Sequence, residues 1–330
     1  MNEGKDVNIV YRILVSFLLS VTVAAAPVHL TKTGSEIAVT VSGKPFTTYY
    51  FGADVAKPYL MPLRTAQGIV ISRDFPVGND ASGGDPKASS FEPHQRPLYF
   101  AHGDIDGLNY WAESVFRKYY GGHSTQDYGR STLTRFDEVR EAGDYGIVKG
   151  SFSLLDPKGR VIGEETQTFT FRGDSATRII DCEFTLKATQ GPMVIGDTKE
   201  GTFAIRVSRD LSAPLGHMIN SRGAEGEPAI WGQPADWVDY YGASSGHPIG
   251  IAVFDHPRSF RHPTTWHARG YGLLAANPFG RREFTKDPMQ DGSWTVEEKG
   301  VLTFRYRVFI YDGELTPAQI AQQYVEYAKQ

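Results

Sequence analysis

The fold is decided by residues 146–171, which read GIVKGSFSLL (146–155), DPKG (156–159) and RVIGEETQTFTF (160–171). Both arms alternate in the manner of half-buried strands, and Asp156-Pro157-Lys158-Gly159 supplies the residue types of a tight turn, so the segment is expected to form a long β-hairpin. The same signature recurs on either side. Upstream, Ile37, Val39 and Val41 alternate with polar residues before Ser42-Gly43-Lys44, and an aromatic, β-branched run resumes over 45–51. Downstream, strands are expected at 177–186, with Ile179, Cys182 or Phe184 as apolar positions, at 202–207 and at 249–254. Two more are expected at 293–297 and 301–311, around Lys299-Gly300. Many strands, Gly/Pro-rich turns and almost no helical periodicity predict an antiparallel all-β protein. One helix stands out at the end of the chain, where Thr316 caps before Pro317 and Ile320, Tyr324 and Tyr327 recur at helical spacing.

Composition narrows the class. The chain has 330 residues, a formal net charge of −4 and 22% charged residues, and so lacks the basic excess that phosphate-backbone binding needs. No nucleic-acid partner is expected. The single cysteine, Cys182, excludes an intramolecular disulfide and a cysteine-based zinc cluster. At the N-terminus Lys5 and Arg12 precede an apolar run over 13–25 that ends in small residues before Pro27. This predicts a signal peptide over 1–25, cleaved near Val23-Ala24-Ala25, because the run is shorter than the roughly 20 residues of a membrane-spanning helix. Residues 26–330 are then expected to form a single secreted or periplasmic domain with no membrane association after cleavage. Long loops rich in Gly, Asp, Ser and Pro at 74–97 and 211–228 have the composition of segments that border binding sites.

Several motifs fail on context. Gly242-Ala243-Ser244-Ser245-Gly246 matches a nucleophile elbow but lies between strands, where the elbow requires a following helix. Asp104-Ile105-Asp106-Gly107 opens like a calcium loop, yet the twelfth position is Val115 where glutamate is needed. There is no phosphate loop, dinucleotide fingerprint or His-Glu-x-x-His, and no cofactor is expected.

Three clusters remain. The first spans 91–111 and holds His94, Arg96, His102, Asp104, Asp106 and Trp111, a set able to move protons and hold polar ligand atoms. The second, Gly196-Asp197-Thr198-Lys199-Glu200-Gly201, places a candidate base beside a cation that would lower its pKa. The third runs from Trp231 through Asp236, Trp237, Tyr240 and Tyr241 to Asp255-His256, His262, Trp266-His267, Arg269 and Asn277. Its histidines and Asp255 are of metal-ligand type. The interleaved indoles, phenols, Arg and Asp point instead to a sugar platform, and no metal is assigned. Simpler alternatives are that the histidines satisfy backbone carbonyls, that 196–201 is a solvated turn, and that one of Trp231 and Trp237 is a core residue.

These clusters resemble a family of secreted bacterial proteins labelled "methane oxygenase PmoA-like". The resemblance rests on 94–104, 196–201, 231–241 and 255–280, and departs from the family at Gln95, usually histidine, and at Ile105-Asp106, usually Val-Asn. It implies an antiparallel β supersandwich similar to galactose mutarotase, with one C-terminal helix and a pocket on a concave sheet face. A membrane oxygenase subunit would need several spanning helices, and no segment after the leader is long enough for one, so methane oxygenation is not expected. The function expected is acid–base chemistry on a carbohydrate or sugar derivative, of epimerase, lyase or hydrolase type. Glu200 would be the base, His102 and His267 proton donors, and His94 their partner. Arg96, Lys199, Asp236, Trp237 and Arg269 would hold the substrate. The alternative is a carbohydrate-binding or scaffold protein without turnover.

Overall fold

The computed structural model describes residues 27–73, 92–115 and 127–330. The expected leader and residues 74–91 of the first long loop lie outside the described residues. In chain order the strands are β1 (Val28–Thr33), β2 (Glu36–Val41), β3 (Lys44–Tyr50), β4 (Tyr59–Met61), β5 (Leu98–Phe100), β6 (Arg130–Glu141), β7 (Gly146–Leu155), β8 (Val161–Gly173), β9 (Thr177–Lys187), β10 (Met193–Ile195), β11 (Phe203–Arg206), β12 (His217–Asn220), β13 (Trp237–Ser244), β14 (His247–Asp255), β15 (Trp266–Ala268), β16 (Leu273–Ala276), β17 (Trp294–Val296) and β18 (Val301–Asp312).

The residue 146–171 hairpin forms, with Gly146 opposite Phe171. It belongs to an antiparallel sheet ordered β12-β13-β14-β18-β9-β8-β7-β6, which faces a second sheet ordered β1-β2-β3-β4-β5-β11-β16-β15. Alternation dictates which side chains meet between them. Phe100 stacks on Phe184 at 4.4 Å and Phe203 on Tyr306 at 4.7 Å, each ring pair joining one sheet to the other. Each fully buried ring contributes roughly 1.5–3 kcal/mol of transfer free energy, so these inner faces hold the sandwich together.

Three details differ from the sequence reading. Residues 293–297 do not form a hairpin with 301–311. A turn in which Gly300 N–H donates to Glu297 O, and Lys299 N–H to Ala188 O, swings the chain into β18 beside β9, while β17 pairs with β10. On β9 the inward positions are Ile180, Cys182 and Phe184, and Ile179 faces the other side. Two short helices, α1 (Gly226–Ile230) and α2 (Arg281–Thr285), precede the expected C-terminal one, α3 (Pro317–Ala328). Helix α3 is opened by a capping box between Thr316 and Gln319, and it buries Ile320 and Tyr327 against Trp237, Phe254 and Phe309 on the outer face of the sheet that contains β13, β14 and β18. Among the described residues no helix is long and apolar enough to cross a membrane.

The outer face of the other sheet positions the site. Register places Tyr50, Tyr59, Tyr99, Ala204, Ala275 and His267 side by side across β3, β4, β5, β11, β16 and β15. Phe100 and Phe203, next to Tyr99 and Ala204 on their strands, stack on rings of the other sheet, so by alternation the row lies on the opposite face. The row falls from tyrosine rings to two methyl groups before rising again at His267.

Between the sheets, Glu165 is 3% exposed and accepts from Ser131 Oγ at 3.2 Å and from Gln167, which in turn accepts from Tyr49 Oη at 2.8 Å. Burial pushes its carboxyl up to about 7, against the smaller opposing effect of these hydrogen bonds. A raised folded-state pKa contributes stability at pH below the unfolded value, and that contribution is lost as pH rises through about 7. Glu165→Gln should therefore remove a pH-dependent loss on the order of 2–3 kcal/mol. Urea midpoints of wild type and variant between pH 4.5 and 8.5 check this: the two should diverge as pH rises, and parallel curves would contradict it.

Candidate functional site

The residue 196–201 loop enters β11 directly above the end of the row, and its conformation is fixed from all sides. His102 Nε2 donates to Gly196 O at 2.8 Å, Asn277 Nδ2 to Thr198 O at 2.8 Å, His267 Nδ1 to Lys199 O at 2.9 Å and Gly103 N–H to Glu200 O at 2.6 Å. The Asp197 carboxylate accepts from the backbone N–H groups of Arg282 and Gly292, which ties the loop to the start of α2. Glycine is required at both ends for a packing reason. A Cβ on Gly201 would come within 2.1 Å of His102 Nδ1, and one on Gly196 within 2.1 Å of the Asp104 carboxylate.

So held, Glu200 and Lys199 reach the rim of the outer face with 31% of each side chain exposed. Lys199 Nζ lies 3.6 Å from Glu200 and 3.0 Å from Glu283. Burial pushes the Glu200 carboxyl up to about 7; Lys199 pulls it down, and Glu92 and Glu283 push it further up. Glu92 is itself raised, first by burial, with Arg206, Lys199 and Arg73 opposing. The hydroxyls of Tyr99 and Tyr271 and the Arg206 guanidinium are close enough to act on the same charges. Arg206 lies 4.3 Å over the Tyr271 ring and donates to Gln95 Oε1, whose amide nitrogen donates to Tyr271 Oη at 3.4 Å. Glu200, at about 7, can give and take protons near neutral pH, and it is bordered by Lys199, Arg206, two phenols and the raised carboxyl of Glu92.

The three expected catalytic histidines have structural partners. His102 is 1% exposed, packs against Phe279, and is pushed down to about 4 by burial, with its bond to Gly196 opposing. His267 donates through Nδ1 and accepts at Nε2 from Arg269 Nε at 3.1 Å. Burial, then Arg269, push it down to about 3. Both rings are therefore neutral with a fixed tautomer, and they hold the loop and Arg269 in place. His94 is buried against Trp111, 3.5 Å from Glu92, and is held well below the usual range by burial and by Lys57, Arg73, Arg96 and Arg206.

Of the expected binding residues, Lys199 and Arg269 stand at the rim. Arg269 donates to Glu227 at 2.8 Å and lies 5.5 Å over the Trp231 ring. Arg96 is inside the wall: it forms a two-pronged bond to Glu113 at 2.9 and 2.7 Å, shared with Lys57 at 3.1 Å, and covers the Tyr59 ring. Burial opposes the Glu113 charge, but Lys57 and Arg96 together keep it below the usual range, while burial brings Lys57 down to about 8. Asp236 and Trp237 lie elsewhere. Trp237 is core beneath α3, and Asp236 faces His262 at 3.5 Å, because β13 belongs to the opposite sheet. The third cluster thus divides, with Trp231, His267, Arg269 and Asn277 at the site and Trp237 outside it. His256 packs on Tyr327, and His262 bonds Asp255 at 2.9 Å. Among the described residues no group of three or more His, Cys, Asp or Glu side chains is placed to hold a metal ion.

Sequence reasoning missed Glu92, Arg206 and Glu227, and gave no role to Tyr99 and Tyr271, which lie within its clusters. Arg206 carried a signal, being a charge in the strand Phe203-Ala204-Ile205-Arg206, and an outward position on a sheet whose outer face is covered explains it.

The model of a family of unknown function (DUF6807) matches residues 36–325. No curated protein matches the chain. Solved structures similar to it include an α-galactosidase of Geobacillus stearothermophilus in complex with raffinose, at 11% identity over 87% of this chain and 40% of that one, TM-score 0.40. A heparan sulfate lyase of Pedobacter heparinus matches at 10% identity over 89% of this chain and 36% of that one, TM-score 0.36. A galactose mutarotase-like protein of Clostridium acetobutylicum matches at 10% identity over 86% and 95% of the two chains, TM-score 0.35. The chain spans well under half the length of the first two.

Nitrogen-detected NMR of the histidine rings tests the site geometry. His102 should carry its proton on Nε2 and His267 on Nδ1, with neither ring titrating between pH 5 and 8, given values of about 4 and about 3. Protonation of either ring near pH 6.5 would contradict the arrangement.

Proposed function

The chain belongs to the family of unknown function DUF6807, and we propose that it is an acid–base enzyme acting on a carbohydrate or sugar derivative, with Glu200 as the proton-transferring group. The observation that carries this reading is the placement of Glu200 by the clamped residue 196–201 loop, beside Lys199, Glu92 and the Arg206–Tyr271 pair, on the solvent-reached rim of an otherwise buried face. A carboxyl group titrating at about 7 is half protonated at neutral pH and can serve as acid or base without an external cofactor. Glu92, itself raised by burial, adds a second carboxyl to the surroundings of Glu200. Phenol, amide and guanidinium groups suit a ligand rich in hydroxyls, and the Trp231 indole beside Arg269 offers an apolar edge to sugar C–H groups.

His102, His267 and Asn277 act through the loop as positioning residues. In place of the proton-donor role expected from sequence, the two histidines keep Glu200 in register over the row: His267 has both ring nitrogens bonded, to the Lys199 carbonyl and to Arg269, and His102 bonds the Gly196 carbonyl through Nε2 with Nδ1 buried. Secretion remains part of the proposal, on the strength of the 13–25 apolar run.

The test is turnover. The purified protein is incubated with a panel of neutral and uronate-containing mono- and oligosaccharides, and products are read by mass spectrometry and NMR. Glu200→Gln should lower turnover by about 10²-fold or more while leaving the melting temperature and sugar binding near wild type. Sugar binding by the wild type with no product in any case would overturn the enzymatic reading and establish the non-catalytic alternative.

A further inference from the structure

A cavity of about 1020 Å³ opens beside Arg269, where the edge strands β15 and β12 of the two sheets diverge and α1 spans the gap. Its inner end is formed by Trp231, Arg269 and Gly270, and its sides by Glu227 of α1 and Met218 of β12. At its outer rim His217 stacks on Tyr241, ring centroids 5.5 Å apart. This is the segment of chain, 211–228, whose composition marked it as a site border.

The inner end is linked to the Glu200 rim by bonded side chains rather than by a shared lining. Arg269 lines the cavity, donates through Nη1 to Glu227 inside it and through Nε to His267, and His267 holds the Lys199 carbonyl next to Glu200. The Trp231 ring packs edge-on to His267 at 6.4 Å, and its Nε1 is buried without a hydrogen-bond partner. The volume is at the upper end of the roughly 300–1,000 Å³ that drug-sized ligands fill, far more than one sugar ring beyond the Glu200 rim requires.

Resting on the acid–base reading of Glu200, we propose that the substrate is an oligosaccharide or polysaccharide chain, with the reacting unit at Glu200 and the adjoining units lying along this cavity from Trp231 to the His217–Tyr241 stack. Aromatic groups at both ends would meet successive sugar faces, and Arg269 and Glu227 would bind hydroxyls between them. Binding energy from units remote from the reacting bond is the means by which such a site orients its substrate.

The experiment is calorimetric titration of the full chain with three series of 1,4-linked oligomers, β-linked glucose, β-linked mannose and α-linked galacturonate, each from one to six units. At least one series should gain tenfold or more in affinity between monomer and trimer. The His217→Ala/Tyr241→Ala double variant, altering one exposed and one half-buried rim residue, should cut the trimer-to-monomer affinity ratio by about tenfold, and Trp231→Ala should do so as well. A flat length dependence in the wild type, with Glu200-dependent turnover of a monosaccharide, would overturn the chain-binding inference and leave the acid–base reading standing. A length dependence that both variants retain would also overturn it. Length-dependent binding lost in the variants, together with turnover that Glu200→Gln leaves intact, would uphold the cavity and sink the acid–base reading.

Discussion

Four backbone carbonyls in a six-residue loop, accepting hydrogen bonds from three other parts of the chain, are the constraint on which this protein's site depends. Gly196, Thr198, Lys199 and Glu200 are held by His102, Asn277, His267 and Gly103, respectively. The donors come from the segment after β5, from β15 and from the segment after β16. The loop therefore takes this shape only where β5, β16 and the edge strand β15 are assembled in the sheet. Each bond contributes roughly 1 kcal/mol net, but leaving one buried carbonyl unpaired costs about 1–3 kcal/mol, so the set discriminates strongly against other loop conformations. What the clamp achieves is electrostatic as much as geometric. It keeps Glu200 where burial outweighs the attraction of Lys199, and the carboxyl consequently titrates near neutrality, at about 7.

The roles of the histidines follow from the same constraint. An imidazole that donates through one nitrogen to a carbonyl has its tautomer fixed; the other nitrogen accepts from a guanidinium in His267 and is buried in His102, and burial disfavours protonation of both rings. His102 and His267 are thus rigid neutral donors, a use of histidine that exploits its shape and fixed tautomer rather than its pKa. His267 has a second task, since its acceptor nitrogen orients Arg269 at the point where the Glu200 rim meets the cavity.

Much of this was legible in the sequence. Strand alternation revealed the antiparallel sheets, the 146–171 hairpin and the capped helix α3, because those features are set by local periodicity and turn chemistry. The clustering of Lys199-Glu200, His267 and Arg269 as chemistry-bearing residues was legible too, since polar groups crowd between glycines and aromatics in strand-rich sequence. What sequence could not provide was the facing of individual positions. Trp237 and Trp231 look alike in sequence, yet β13 turns Trp237 toward α3 while Trp231, after α1, borders the cavity. Glu92, Tyr99, Arg206 and Tyr271 come from separate segments and meet only through the register of β5, β11 and β16. The non-hairpin course of β17 was hidden for a similar reason: the turn at Lys299-Gly300 is ordinary, and the partner strand β10 lies about a hundred residues away in sequence.

The central claim is that the clamped loop holds the Glu200 carboxyl in a state that exchanges its proton near neutral pH. Side-chain carboxyl carbon-13 NMR of protein labelled at glutamate, with the Glu200 resonance assigned by its loss in Glu200→Gln, measures this directly. The account predicts a titration midpoint of about 7. A midpoint in the ordinary glutamate range, about 4.3, would contradict it.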